Sequence, residues 1–233
     1  MAEQRGGLSF SARSWRTVHE SVLFGEIPYT PEYIEAEGVV DCECKQTCDC
    51  HWTPGKESEC NCINNGRECD ASCPGCIDTR NRNLSDNTQT QRFGLLPSAT
   101  TRQYLNEQMG DSLVMQQTRE AGETVIGYAG NVLFTKHIPV EHKKYVLGLG
   151  KWKLKLKKSF REYAAGTVYS GDFAMDCTKI GTDANFINST CFNNNAETYI
   201  VVVCGVPKPI VYATEKIVSG LCVFSYMFEI VSL

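Results

Sequence analysis

MDCTKIGTDANFINSTCFNNNAETYIVVVCGVPKPIVYATEKIVSGLCVFSY, residues 175–226, alternates short β-branched or aromatic runs with turn-forming residues. TYIVVVCG (198–205), PIVYAT (209–214) and LCVFSYMF (221–228) carry the side chains that fit a pleated, half-buried surface, which predicts strands. The segment before them, FINSTCFNNNAE (186–197), has the asparagine content of turns. The longest apolar run, YIVVVCGV (199–206), is cut off by Pro207, Lys208 and Pro209, short of the ~18 to 20 residues a membrane-spanning helix needs. No membrane association is expected.

Further upstream, SLVMQQT (112–118) and ETVIGYAG (123–130) repeat the pattern, so residues 111–233 read as one strand-rich domain. No amphipathic helical period lasts more than a few turns, although 136–149 and 156–165 read as short helices. The stretch NLSDNTQTQRFGLLPSATTRQYL (83–105) is polar and loop-like, and residues 83–110 are expected to form a linker.

Charge is uneven. Between Lys136 and Arg161 nine basic residues face one acid, Glu141, and in GLGKWKLKLKKSF (148–160) lysines alternate with Trp152, Leu154 and Leu156 as on one side of a strand. A phosphate backbone is the expected partner of this stretch, because releasing its counterions favours binding. Residues 39–80 instead carry eight acids and four bases.

That acidic segment also holds nine of the 13 cysteines: Cys42, Cys44, Cys48, Cys50, Cys60, Cys62, Cys69, Cys73 and Cys76. Residues 39–82 have too few aliphatic side chains for a conventional core, so something else must staple them. An odd cluster in a chain whose N-terminus shows no apolar export segment fits thiolate metal binding better than disulfides. Zinc takes four ligands in a tetrahedron, with sulfur at ~2.3 Å, and nine thiolates hold two or three ions only if some bridge. His51, beside Cys50, is available to replace one of them. A closed four-sulfur shell leaves no position for water, so the expected role is structural. Residues 1–38, with Pro28 and Pro31 breaking any long helix, read as an extended lead-in.

The whole chain has 233 residues, 42% hydrophobic and 21% charged, with 23 Lys plus Arg against 27 Asp plus Glu. That is enough apolar content for a core, and the formal charge of −4 excludes a wholesale polycation.

Several pieces, taken in order, resemble the SET-domain family of protein lysine methyltransferases. NFINSTCFNN (185–194) is similar to the family's knot motif, R-F-I-N-H-S-C-x-P-N, and Tyr226 stands where its last core strand carries a tyrosine. DSLVMQQTR (111–119) looks like the first strand, EAGETVIGYAGNVL (120–133) like the segment after it, and PIVYATEKIVSG (209–220) like the penultimate strand and turn. ECDASCPGC (68–76), with the RNR and QRF that follow, resembles an AWS module, and the nine-cysteine count is similar to the pre-SET type.

The resemblance implies a mainly β fold of small sheets with a pseudoknot, preceded by the zinc-stapled module. It implies a nuclear, chromatin-associated enzyme that moves a methyl group from S-adenosylmethionine to a lysine of a histone tail or another protein; the basic charge of residues 136–161 makes nucleosomal DNA their expected contact. Tyr226 would orient the lysine amine. Asn188, with Ser189, Phe186, Asn185 and Tyr163, would lie on the cofactor, and Tyr128 would line the peptide cleft or pack.

The chain also departs from the pattern. Asn185 replaces arginine, Ser189 histidine and Asn193 proline, while Asn131 stands where a glutamate follows the Ala-Gly pair. About a dozen residues, including a G-x-G turn on which the methionine part of the cofactor rests, are missing between Arg119 and Glu120, and no cysteine cluster follows Tyr226. These losses leave a second reading open, a catalytically degenerate SET module that binds chromatin or a partner. A zinc-stapled interaction protein is a third.

Overall fold

A computed structural model of the chain describes residues 32–38, 54–55, 57, 61–66, 100–160, 163–179, 182–190, 193–203 and 205–225. The chain is mainly β, arranged in small sheets. One has four strands in the order β1 (Ile34–Ala36), β6 (Val146–Leu156), β7 (Val168–Asp176), β5 (Asn131–Phe134), all antiparallel to their neighbours. A second has five, in the order β4 (Thr124–Gly127), β10 (Val206–Ala213), β9 (Ala196–Val203), β11 (Phe224–Ser225), β8 (Asn188–Ser189). The third is a hairpin of β2 (Thr100–Asn106) and β3 (Gly110–Met115). Helical structure among the described residues is a single turn, α1 (Asn61–Asn64), and the 3-10 turns Thr135–His137, Val140–Tyr145 and Asp183–Phe186.

The alternation read in the lysine-rich stretch is the alternation of β6. Lys151, Lys153 and Lys155 are exposed, while Leu154 and Leu156 are buried and Trp152 half-buried on the opposite face. Side chains on a strand point to alternate faces, so a one-residue slip would expose both leucines, each worth about 1.5–3 kcal/mol of burial. On that inner face they join Ile34, Val132, Phe134, Phe173 and Met175 in one core cluster. Gly171 is needed there, because a Cβ at this position would lie 2.7 Å from the Phe134 ring.

A second cluster, built on Leu113, Met115, Ile126, Val211, Ile217 and Val223, joins the hairpin to the five-stranded sheet. Tyr128 packs against both clusters.

In the described part of the lead-in, turns flank strand β1, which is tied to both large sheets. Ile34 and Ala36 pair with Leu156 and Leu154 of β6, and the Ala36 amide donates to the Gly205 carbonyl at 2.6 Å, in the turn between β9 and β10. The cysteine segment touches the body through the Gly66 carbonyl, which accepts from the Val202 amide of β9 at 3.1 Å.

Three local expectations are corrected. Residues 100–105 form a strand instead of a loop, and 100–110 belong to the β2–β3 hairpin instead of a linker. β2 hides in sequence because most of its side chains are solvent-facing, so it lacks an apolar alternation. Its turn is nonetheless well specified: the Asn106 carboxamide oxygen accepts from the amides of Gln108 (3.0 Å) and Met109 (2.9 Å), and Gly110 takes φ 65°. Residues 156–165 hold no helix where described. β6 ends at Leu156, and Phe160 and Tyr163 exchange backbone hydrogen bonds at 2.9 and 2.8 Å. Within 136–149 there are 3-10 turns followed by β6, which starts at Val146; the two glycines of VLGLG (146–150) disfavour a helix.

Candidate functional site

The expected knot is a crossing of the chain. β8 and β9 follow one another in sequence, yet β11 lies between them and runs parallel to both, with Ser225 opposite Ser189 on one side and Ala196 on the other. The Thr190 amide donates to the Ser225 carbonyl at 3.0 Å, and the Asn195 amide to the Phe224 carbonyl at 3.2 Å.

Asn195, a buried residue that sequence reading did not single out, clamps this crossing with its side chain. Its carboxamide nitrogen donates to the Cys222 carbonyl at 2.9 Å, its oxygen accepts from the Phe224 amide at 2.8 Å, and its own carbonyl accepts from the Thr214 amide at 2.9 Å. One side chain thus satisfies backbone groups that a buried strand end would otherwise leave unpaired. The signal was present as an asparagine immediately before a strand, but it was lost among three consecutive asparagines.

Asn193 occupies the left-handed region with φ 56°. A proline there is excluded, since its ring fixes φ near −65°, whereas asparagine tolerates this conformation. The departure from the family's proline is therefore matched by the local backbone.

Four of the expected cofactor residues cluster along this edge. Asn188 donates its carboxamide N–H to the hydroxyl of Ser112, a fully buried residue of β3. Ser112 is a second residue missed in sequence, where it reads only as the polar start of an apolar run. Phe186 lies beneath the Arg102 guanidinium, 4.1 Å from its ring centroid, and Arg102 also pairs with Asp111 at 2.5 Å. The hydrogen bond to Asp111 raises the pKa of Arg102, and the same bond lowers that of Asp111. Asn185 donates to the Cys177 carbonyl at 3.1 Å, which ties the 3-10 turn to the end of β7. Ser189 is exposed. Tyr163 packs elsewhere, against the cluster of the four-stranded sheet, with its ring 6.3 Å from that of Tyr169.

Behind the turn lies a polar pair. The Asp176 carboxylate contacts His142 Nδ1 at 2.6 Å and accepts from the Thr178 amide at 2.9 Å. Burial pushes the carboxyl pKa up, but the hydrogen bonds from Thr178 and His142 outweigh it and hold Asp176 below the usual carboxylate range. Burial, together with the charge of Asp176, pushes the neighbouring Cys177 thiol up to about 12. That thiol is a packed group and not a nucleophile. Burial also raises the pKa of Tyr128, helped by the charge of Cys177 and opposed by a hydrogen bond with Thr198, so its phenol stays protonated.

Two observations bear on whether S-adenosylmethionine fits. The Ser225 hydroxyl is buried next to β8 and has no hydrogen-bond partner among the described residues, which is compatible with a ligand contact there. The opposite requirement, a glycine-rich floor, is not met. From β3 to β4 the chain passes through the eight residues 116–123, closed by backbone hydrogen bonds between Arg119 and Ile217 at 2.9 and 2.8 Å and by a Lys216–Glu120 ion pair at 2.6 Å.

Tyr226 and the cysteines Cys42, Cys44, Cys48, Cys50, Cys60, Cys69, Cys73 and Cys76 lie outside the described residues, and of Cys62 only its backbone place in α1 is described. Among the described residues there is no group of metal-ligating side chains and no helix long and apolar enough to cross a membrane.

No protein-family model matches the chain, and no curated protein matches it in sequence. Among solved structures it is similar to the crystal structure of the ATXR5 SET domain in complex with di-methylated histone H3, at 16% identity and a TM-score of 0.45, over 64% of this chain and 64% of that one.

Proposed function

We propose that this chain is an S-adenosylmethionine-dependent protein lysine methyltransferase of the SET type, acting on a histone tail or a similar lysine-bearing segment in the nucleus. The observation that carries the reading is the crossing. A strand inserted between two sequence-consecutive strands, with the motif residue Asn188 beside it, is the feature the knot sequence calls for.

When bound, S-adenosylmethionine supplies an electrophilic methyl group on a sulfonium. The chain's own task is to hold a neutral lysine amine in line with that carbon, and alignment together with electrostatics accounts for most of the barrier reduction. Asn188, fixed by Ser112, and the Ser225 hydroxyl are the proposed cofactor contacts. Tyr226, next in sequence after Ser225, is the proposed group that orients the amine through its hydroxyl. Zinc held by the nine cysteines would brace the N-terminal module and take no part in the transfer.

Tyr226→Phe tests the assignment in a methyl-transfer assay on histone peptides. The expected result is at least a tenfold loss of kcat with unchanged cofactor affinity, and an unchanged rate would remove the hydroxyl from the mechanism.

A second reading is favoured by the eight-residue link at 116–123. Without a glycine floor the scaffold would serve as a binding module and transfer no methyl group. Its mark would be histone-peptide binding that is unaffected by the cofactor.

A further inference from the structure

The nine basic residues of the 136–161 stretch do not act as one patch. Lys136 lies over the Phe134 ring at 5.4 Å. Lys157 pairs with Glu35 at 3.2 Å and Lys158 with Glu32 at 3.6 Å, both acids being supplied by the lead-in. Of the other six, Lys143, Lys144 and Arg161 lie outside the residues whose side chains are described; Lys151, Lys153 and Lys155 are exposed at alternate positions of β6 and so on a single face of the four-stranded sheet.

We infer that this lysine face is a docking surface for the phosphate backbone of duplex nucleic acid. Successive lysines repeat at about 6.8 Å, twice the rise per residue of a strand and twice the ~3.4 Å axial rise per phosphate on one strand of a duplex. The face is made of side chains. At its Lys155 end β6 is hydrogen-bonded on both sides, to β1 and to β7, which leaves no backbone edge there for an added peptide strand. An acidic peptide would have only its charges to offer, whereas a phosphodiester chain presents them at regular spacing.

The residues opposite the three lysines on the neighbouring strands, Glu35, Asp172, Ser170 and Val168, offer no aromatic ring on which bases could stack. Trp152 points to the inner side, with its indole N–H donated to the Leu149 carbonyl at 2.7 Å. Duplex is therefore favoured over single strands, which depend on such platforms. Two acids temper the surface, Asp172 opposite Lys151 and Glu35 opposite Lys155, while Lys153 faces Ser170. Binding is therefore modest and centred on Lys153. It needs neither the cofactor nor the methyl-transfer reading.

The test is fluorescence anisotropy of a labelled random-sequence 20-base-pair DNA with the full chain, from 50 to 200 mM salt. Three phosphate contacts predict a slope of about −2.7 in log affinity against log salt, or roughly a 40-fold loss over that range. Lys151→Gln/Lys153→Gln/Lys155→Gln, all at exposed positions, should abolish most binding while leaving the melting temperature unchanged. Lys136→Gln should have little effect. The inference is overturned if the triple variant binds like the parent, if no duplex binding appears at 50 mM salt, or if single-stranded DNA or polyglutamate binds as tightly as the duplex.

Discussion

The crossing formed by β8, β9 and β11 and the link from Met115 to Thr124 are both tied by backbone hydrogen bonds, but the side chains that support them differ in kind. At the crossing, the half-buried ends of the strands are joined by backbone hydrogen bonds and by both polar ends of the Asn195 carboxamide. At the link, eight residues turn with Gly122 at φ 83°, and their side-chain ion pair, Lys216–Glu120, is exposed at both partners. The first arrangement is costly to disturb, because removing one partner strands the other away from water. The ion pair of the second sits where solvent replaces what is lost. The fold of this domain and the floor of its proposed cofactor site are thus physically separable: the crossing can persist while the link is trimmed.

The largest effect is expected at Asn195. Asn195→Ala leaves the Phe224 amide and the Cys222 carbonyl without their partner and should cost about 2 kcal/mol, seen as a fall of about 4–8 °C in the melting temperature. A smaller change would mean that the crossing is held by the backbone alone.

Asn193 comes next. Asn193→Pro restores the family's residue but forbids φ 56°, so chemical denaturation should show a loss of more than about 1 kcal/mol, whereas Asn193→Gly should stay within about 0.5 kcal/mol of the parent. Equal stability of the two variants would contradict the left-handed turn.

The smallest effect belongs to the link. Glu120→Ala removes the exposed ion pair and should change stability by less than about 1 kcal/mol. A drop as large as that at Asn195 would erase the contrast between the two regions.

Much of this was legible in the sequence, for reasons that differ by region. β9 and β10 announce themselves because burial of one or both faces demands β-branched and aromatic residues, and the later half of β6 does so through the lysine alternation that fixes which side meets water. The crossing was legible through the spacing of Asn188 and Cys191, a motif and not a periodicity. β2 was not legible, since a mostly exposed strand pairs through its backbone and leaves little mark on its side chains. Neither Ser112 nor Asn195 could be picked out, because their partners are 76 and up to 29 residues away, and only the fold brings them together. Tyr163 shows a related ambiguity. It sits in an aromatic-rich run, and nothing local separates a ring that packs on Tyr169 from one that lines a site.

The most direct test of the whole account is calorimetric titration of S-adenosylmethionine into the full chain, purified with zinc, alongside Asn188→Ala. The account predicts saturable binding of one cofactor per chain, weakened at least tenfold by that substitution. Absence of any saturable heat from the parent protein would contradict it, and would leave the domain a scaffold that keeps the crossing without the chemistry.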